Sequence, residues 1–255
     1  MKFPLRILVA LRIASIHLMC SAAVITLFAI FFLGVWYPFP YREISGGREL
    51  FFLLIVVDVV CGPLLTFVLY DPTKKSIELK WDLGLIVLMQ LAALAYGSFT
   101  IWQARPIFLV LEVDRFKVIL ASSLNNMAVA ALPLPLKPSW LSGPVLVSIR
   151  EPKDRNERNE VLFESAQGGR DYADRPEFYM PYDGTNALKS LKRAKSLGLF
   201  LKSHPDQQAA AQKLADEKKA DISQLLYLPV VARQDWVAVL DQRGQIQGFL
   251  KGDGF

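Results

Sequence analysis

The chain has 255 residues, 53% of them hydrophobic and 21% charged, with a formal net charge of +5 and two cysteines. The charge is uneven, since residues 1–102 hold only 8 of the 29 Lys and Arg and 6 of the 24 Asp and Glu. An apolar front joined to a water-compatible back excludes a simple cytosolic enzyme, a disordered chain and a bundle made only of membrane helices.

Ile13–Trp36 runs for 24 residues without a formal charge, and a hydrocarbon core needs about 20. Leu50–Tyr70 is a second apolar run, broken only by Asp58, and Leu83–Trp102 is a third, with Gln90 its most polar member. Spans are therefore expected at about 13–36, 50–70 and 83–102, each satisfying its backbone as a helix. The first run is too long for the apolar core of a cleaved signal, so it is read as a retained anchor. Trp36, Tyr37, Phe51, Phe52 and Trp102 form an expected interfacial belt.

Lys2, Arg6 and Arg12 precede the first span, and Lys74, Lys75 and Lys80 lie between the second and third, whereas the 37–49 loop holds only Arg42 and Arg48. This bias puts the N-terminus and the 71–82 loop in the cytoplasm and residues 103–255 on the far side, which in a Gram-negative bacterium is the periplasm. The expected organisation is a transmembrane region, 1–102, followed by a periplasmic α+β domain, 103–255. Basic residues in the back half are mixed with acids throughout, which is not the pattern of a nucleic-acid surface.

Asp58 is the informative residue of the membrane half, because a carboxylate at mid-bilayer costs about 2.5–3.5 kcal/mol on insertion scales. Depth along the helices makes Thr26 and Tyr96 its candidate partners and sets His17 nearly two turns away. Asp58, Gly62 and Thr66 recur every fourth residue on one face, and Pro63 removes the amide that would bond the Val59 carbonyl, so a bend is expected there. Ala93 and Gly97 offer a matching small-residue face on the third span. Three readings are open: internal packing with Asp58 protonated and hydrogen-bonded, a docking groove for another transmembrane helix, or a proton or ion path. Cys20 and Cys61 lie inside spans and are expected as buried small hydrophobes.

In the back half, 107–111 and 116–120 read as a strand pair just after the membrane, and 145–149 as a further strand. Residues 125–144 form a loop region, and 150–160 is a charged, solvated helix or turn. Asn186–Leu201 has the pattern of an amphipathic helix with one basic face, and Pro205–Ala220 that of a second helix. Tyr227–Ala232, Trp236–Leu240 and Ile246–Leu250 alternate as a three-stranded meander. The fold class expected is a three-helix transmembrane N-terminal region followed by an α+β soluble domain with antiparallel strands.

No catalytic, metal or cofactor constellation is legible. His204 is the sole histidine beyond the spans, and Cys-x-x-Cys, His-Glu-x-x-His, Gly-x-Ser-x-Gly and phosphate-loop patterns are absent. The chain is not expected to be an enzyme, and no cofactor or metal is expected.

Trp36-Tyr37-Pro38, Gly46-Gly47, Asp58, Gly62-Pro63-Leu64-Leu65-Thr66, Asp82, Gln90, Tyr96-Gly97, Arg105-Pro106 and Val113-Asp114-Arg115-Phe116 together give the chain its family character. With Leu228-Pro229-Val230 and the hairpin after it, they resemble the type IV pilin accessory proteins, the TfpX/TfpZ group with its FimB-like members. The resemblance implies an inner-membrane, chaperone-like protein that assists a major pilin before it joins the pilus. The residues expected to pack helices or bind that partner are Asp58, Gly62, Pro63, Thr66, Tyr96, Gly97, Arg105 and Pro106. Arg105-Pro106 is expected to set the angle between membrane and domain, with Arg105 reaching lipid headgroups. The competing class is a small membrane transporter or sensor subunit with a periplasmic ligand-binding domain.

Overall fold

The structure, a computed structural model, describes residues 3–255. Lys2, used above to orient the chain, lies outside the described residues. Contacts divide the chain into two units: residues up to Val35 with Gly47–Gln103, and Trp36–Gly46 with Ala104–Phe255.

The first unit is helical. α1 (Phe3–Phe31) is prolonged by a π-helical turn, Phe32–Trp36. α2 (Gly47–Leu69) changes register midway, being α-helical over Gly47–Ile55 and Gly62–Leu69 and π-helical over Val56–Cys61. α3 is Ser76–Gln103. All three are long and apolar enough to cross a membrane, and they cover the expected spans to within a residue. On α1, Leu8, Met19, Leu27 and Ile30 are 63% to 72% exposed, a surface that water penalises and hydrocarbon does not. Cys20 and Cys61 also face outward. Their expected burial is thus corrected, since a thiol is as well accommodated by lipid as by a protein interior.

Specific side-chain contacts join the helices of this unit. Phe32 stacks on Phe51 with ring centroids 4.9 Å apart, so Phe51 packs against the end of α1. Gly97 on α3 leaves the space that Leu54 of α2 fills. Arg6 pairs with Asp71 at 3.4 Å, so the start of α1 and the α2–α3 turn share one end of the unit.

The second unit is built on one mixed sheet. Its strands are β1 (Pro106–Leu111), β2 (Phe116–Leu120), β3 (Val145–Ile149), β4 (Tyr179–Pro181), β5 (Lys195–Ser196), β6 (Leu226–Val231), β7 (Trp236–Leu240) and β8 (Ile246–Lys251). They run in the order β4-β3-β1-β2-β6-β7-β8, with β5 also paired to β6. The expected strand pair β1–β2 and the meander β6-β7-β8 are antiparallel. Two pairings, β1 with β3 and β2 with β6, are parallel. The longer helices of the α+β domain are α4 (Arg155–Ala166), α5 (Gly184–Leu191), α6 (Leu197–Ser203) and α7 (Gln208–Lys218).

The helix expected over 186–201 is two helices. β5 interrupts it, because Lys195 and Ser196 pair with Tyr227 and Leu226 of β6, and strand pairing overrides the leucine spacing.

Alternation along each strand fills both faces of the sheet. Trp236, Ala238 and Leu240 of β7 join Leu109 and Leu111 of β1 on one face. Val237 and Val239 pack instead with Phe200, Ala211 and Leu250 under α6 and α7. Phe108, Val110 and Ile119 meet Val147 and Tyr179 in a third cluster.

The connection between α1 and α2 is part of this domain. Ile44, with no exposed surface, belongs to the core cluster of Leu111, Phe116 and Trp236. Its carbonyl accepts from Gln234 N–H at 3.3 Å, and the Trp36 indole donates to the Trp140 carbonyl at 2.9 Å. Gly46 has φ +73, which a glycine adopts without strain, and lies against Arg233.

Candidate functional site

The polar residues of the helical unit converge around α2. Within the π-helical stretch the carbonyl of each residue looks for an amide five positions on. For Asp58 that position is Pro63, which has no N–H. The orphan carbonyl is therefore Asp58's own, and the Gln90 side chain from α3 donates to it at 2.9 Å. The sequence placed the orphan at Val59 by assuming α register; the π turn moves it.

Gly62 makes this bond possible. A Cβ on Gly62 would land on the Gln90 side-chain amide, so only glycine admits it. One turn further, His17 Nδ1 of α1 and the Thr66 hydroxyl of α2 are joined by a hydrogen bond of 2.6 Å. Gly62 and Thr66, two members of the expected face, are buried inside the unit, as is Pro63.

Asp58 differs from them. It is 5% exposed, and neither carboxylate oxygen has a hydrogen-bond partner among the described residues. It borders a cavity of about 200 Å³ whose walls include His17, Ser21 and Ile25 of α1 and Gln90, Leu91 and Leu94 of α3. A buried polar group without a partner carries a desolvation penalty of about 1–3 kcal/mol. The cavity has apolar walls with a few hydrogen-bonding groups, the composition of a site that takes one polar group from outside.

Neither expected partner of Asp58 reaches it. Thr26 donates to the Ala22 carbonyl of its own helix at 2.7 Å, the usual back-bond of a helical threonine. Tyr96 is 74% exposed on the outer face of α3. Depth along a helix fixed their level and not their direction. Gly97 serves α2–α3 packing through Leu54. Gln90, which the sequence marked only as the most polar residue of its span, is the side chain that meets Asp58.

Arg105 and Pro106 are placed in the sheet domain. Pro106 opens β1, and the Arg105 carbonyl accepts from Ala121 N–H at 2.9 Å. The Arg105 side chain is 7% exposed, in electrostatic reach of the buried Tyr37. It does not extend outward as expected for a headgroup-seeking arginine, and Tyr37 is core, not belt.

Three membrane-length helices followed by a mixed-sheet domain define a membrane-anchored protein with an α+β head. The comparisons name its kind. The family described as "Fimbrial assembly protein FimB" matches over residues 5–46. The chain is 35% identical to "Fimbrial assembly protein, serogroup I" of Dichelobacter nodosus over 98% of both chains. It is 34% identical to the serogroup E1 protein of the same organism, again over 98% of both. A third relative there, of serogroups C1 and C2, is 45% identical across 45% of this chain and 87% of its own length. The chain belongs to the fimbrial assembly protein family. No solved structure matches it.

Proposed function

We propose that this protein is an inner-membrane assembly factor for type IV pili that holds a major pilin before it enters the fibre. The Asp58 cavity receives a polar group of the pilin's membrane helix, and the sheet domain, in the periplasm, contacts the pilin's globular part. The observation that carries a role in pilus assembly is the match to fimbrial assembly proteins over 98% of the chain. The unpaired Asp58 carboxylate supports the intramembrane contact, because a partner's donor would relieve its desolvation.

Orientation has independent support. The Arg6–Asp71 ion pair is consistent with a common side for the N-terminus and the 71–82 loop, the side with more basic residues. Residues 36–46 pack into the domain that follows α3, which is consistent with the loop and the domain lying together on the side away from the basic residues. No catalytic step, cofactor or metal enters this reading, and a chaperone-like hold needs none.

The test is photocrosslinking in membranes from a reactive amino acid placed at Leu94, which lines the cavity. The reading predicts a product containing the major pilin. Crosslinks to lipid alone, with pilin present in the same membranes, overturn it.

A further inference from the structure

Two charged segments far apart in sequence meet in the sheet domain. One is the 150–160 stretch leading into α4, and the other is the basic end of α5. Together they line a cleft of about 500 Å³.

The cations of this cleft are not equivalent. Arg150 is bound by Glu157 through two hydrogen bonds of 2.7 and 2.8 Å, and that fork holds the Glu157 carboxyl down at about 2. Arg158, Lys189, Lys192 and Arg193 also line it. These four are exposed and form no ion pair among the described residues. Lys189 is in the last turn of α5, where the helix dipole favours a cation; Lys192 and Arg193 lie beyond it and Arg158 is on another helix.

The cleft is not uniformly basic or polar. Val113 and Leu162, exposed at 63% and 49%, form apolar patches among the cations. Glu112 and Glu151 line the same cleft. A lipid surface or a nucleic acid presents a continuous row of phosphates and meets repulsion at both glutamates. A peptide can set carboxylates against the four cations, amides against the two glutamates and small apolar side chains against Val113 and Leu162.

We propose that this cleft binds an acidic peptide segment of a partner protein. The inference goes beyond the reading above, since binding is expected whether or not that partner is a pilin. Contacts to exposed cations are screened by salt, so the interaction is ionic-strength dependent and acts more on encounter and register than on raw affinity.

The experiment uses the full chain in phosphatidylcholine nanodiscs and a fluorescein-labelled peptide alternating glutamate and alanine, read by fluorescence anisotropy at low salt. Binding is expected, weakened about tenfold or more by Lys192→Glu with Arg193→Glu. Lys213→Glu with Lys218→Glu on α7 changes net charge equally and should leave binding as it was. Arg158→Glu, on a separate helix, is the second variant and should also weaken it. Absence of binding to the native chain overturns the proposal, as does equal loss in the α7 control. So does displacement of the peptide by phosphatidylglycerol vesicles or inorganic phosphate at matched charge.

Discussion

Gln90 directs its side-chain amide to the backbone carbonyl of Asp58, 2.9 Å away, and not to the Asp58 carboxylate. One residue, Pro63, explains why the amide goes to the carbonyl. It leaves the carbonyl without an amide in the π register, the Gln90 amide supplies one, and the carboxylate stays unpaired.

Gly62→Ala tests the arrangement. The added methyl displaces the Gln90 amide and returns the Asp58 carbonyl to an unsatisfied state, at a cost of about 1–3 kcal/mol. Gln90→Leu removes the same donor and should cost a similar amount, about 1–3 kcal/mol. Unfolding in mixed micelles reads both; a Gly62→Ala protein as stable as the native one would show that the bond does not matter.

Ile44→Ala should destabilise the sheet domain by about 2–5 kcal/mol, as for a large-to-small change in a packed core. That is an unusual expectation for a residue in a short connection between two membrane-length helices. It follows from complete burial of Ile44 among Leu111, Phe116 and Trp236. The domain's unfolding transition, followed by tryptophan fluorescence, is the check, and an unshifted midpoint would contradict the packing.

Two carboxyls should give opposite pH signatures. Burial, and secondarily Asp171, pushes Glu112 upward, so its favourable contribution is complete below the ordinary glutamate range and lost as pH rises through the folded value. Glu112→Gln should therefore raise the midpoint at pH 7 and have little effect near pH 4. Glu157 is held down at about 2, chiefly by Arg150; its contribution is present above the ordinary range and lost as pH falls toward about 2. Glu157→Gln should lower the midpoint at pH 7, and the difference from native should shrink on acidification. Thermal melts at the two pH values decide both.

The longer elements were legible because their patterns are local. Short apolar runs separated by polar turn residues identified β7 and β8, and apolar length identified α1 and α3. What escaped depends on partners distant in the chain. Lys195 and Ser196 have nothing strand-like about them until β6 pairs with them. Residues 36–46 looked like a plain loop, since Ile44 by itself does not reveal that a sheet covers it. In the site, Asp58, Gly62, Pro63 and Thr66 were readable from type and spacing. Gln90 was not, because its role exists only once the π turn has moved the orphan carbonyl by one residue.

The central claim is that the unpaired Asp58 carboxylate serves a partner and not the fold. Asp58→Leu removes a buried carboxylate whose oxygens have no hydrogen-bond partner among the described residues, so the protein should stay inserted at its normal level with stability equal or higher. Crosslinking from Leu94 to pilin should fall about tenfold, and surface pili should fall with it. Undiminished crosslinking and piliation at equal protein level would contradict the account and leave Asp58 as a packing residue.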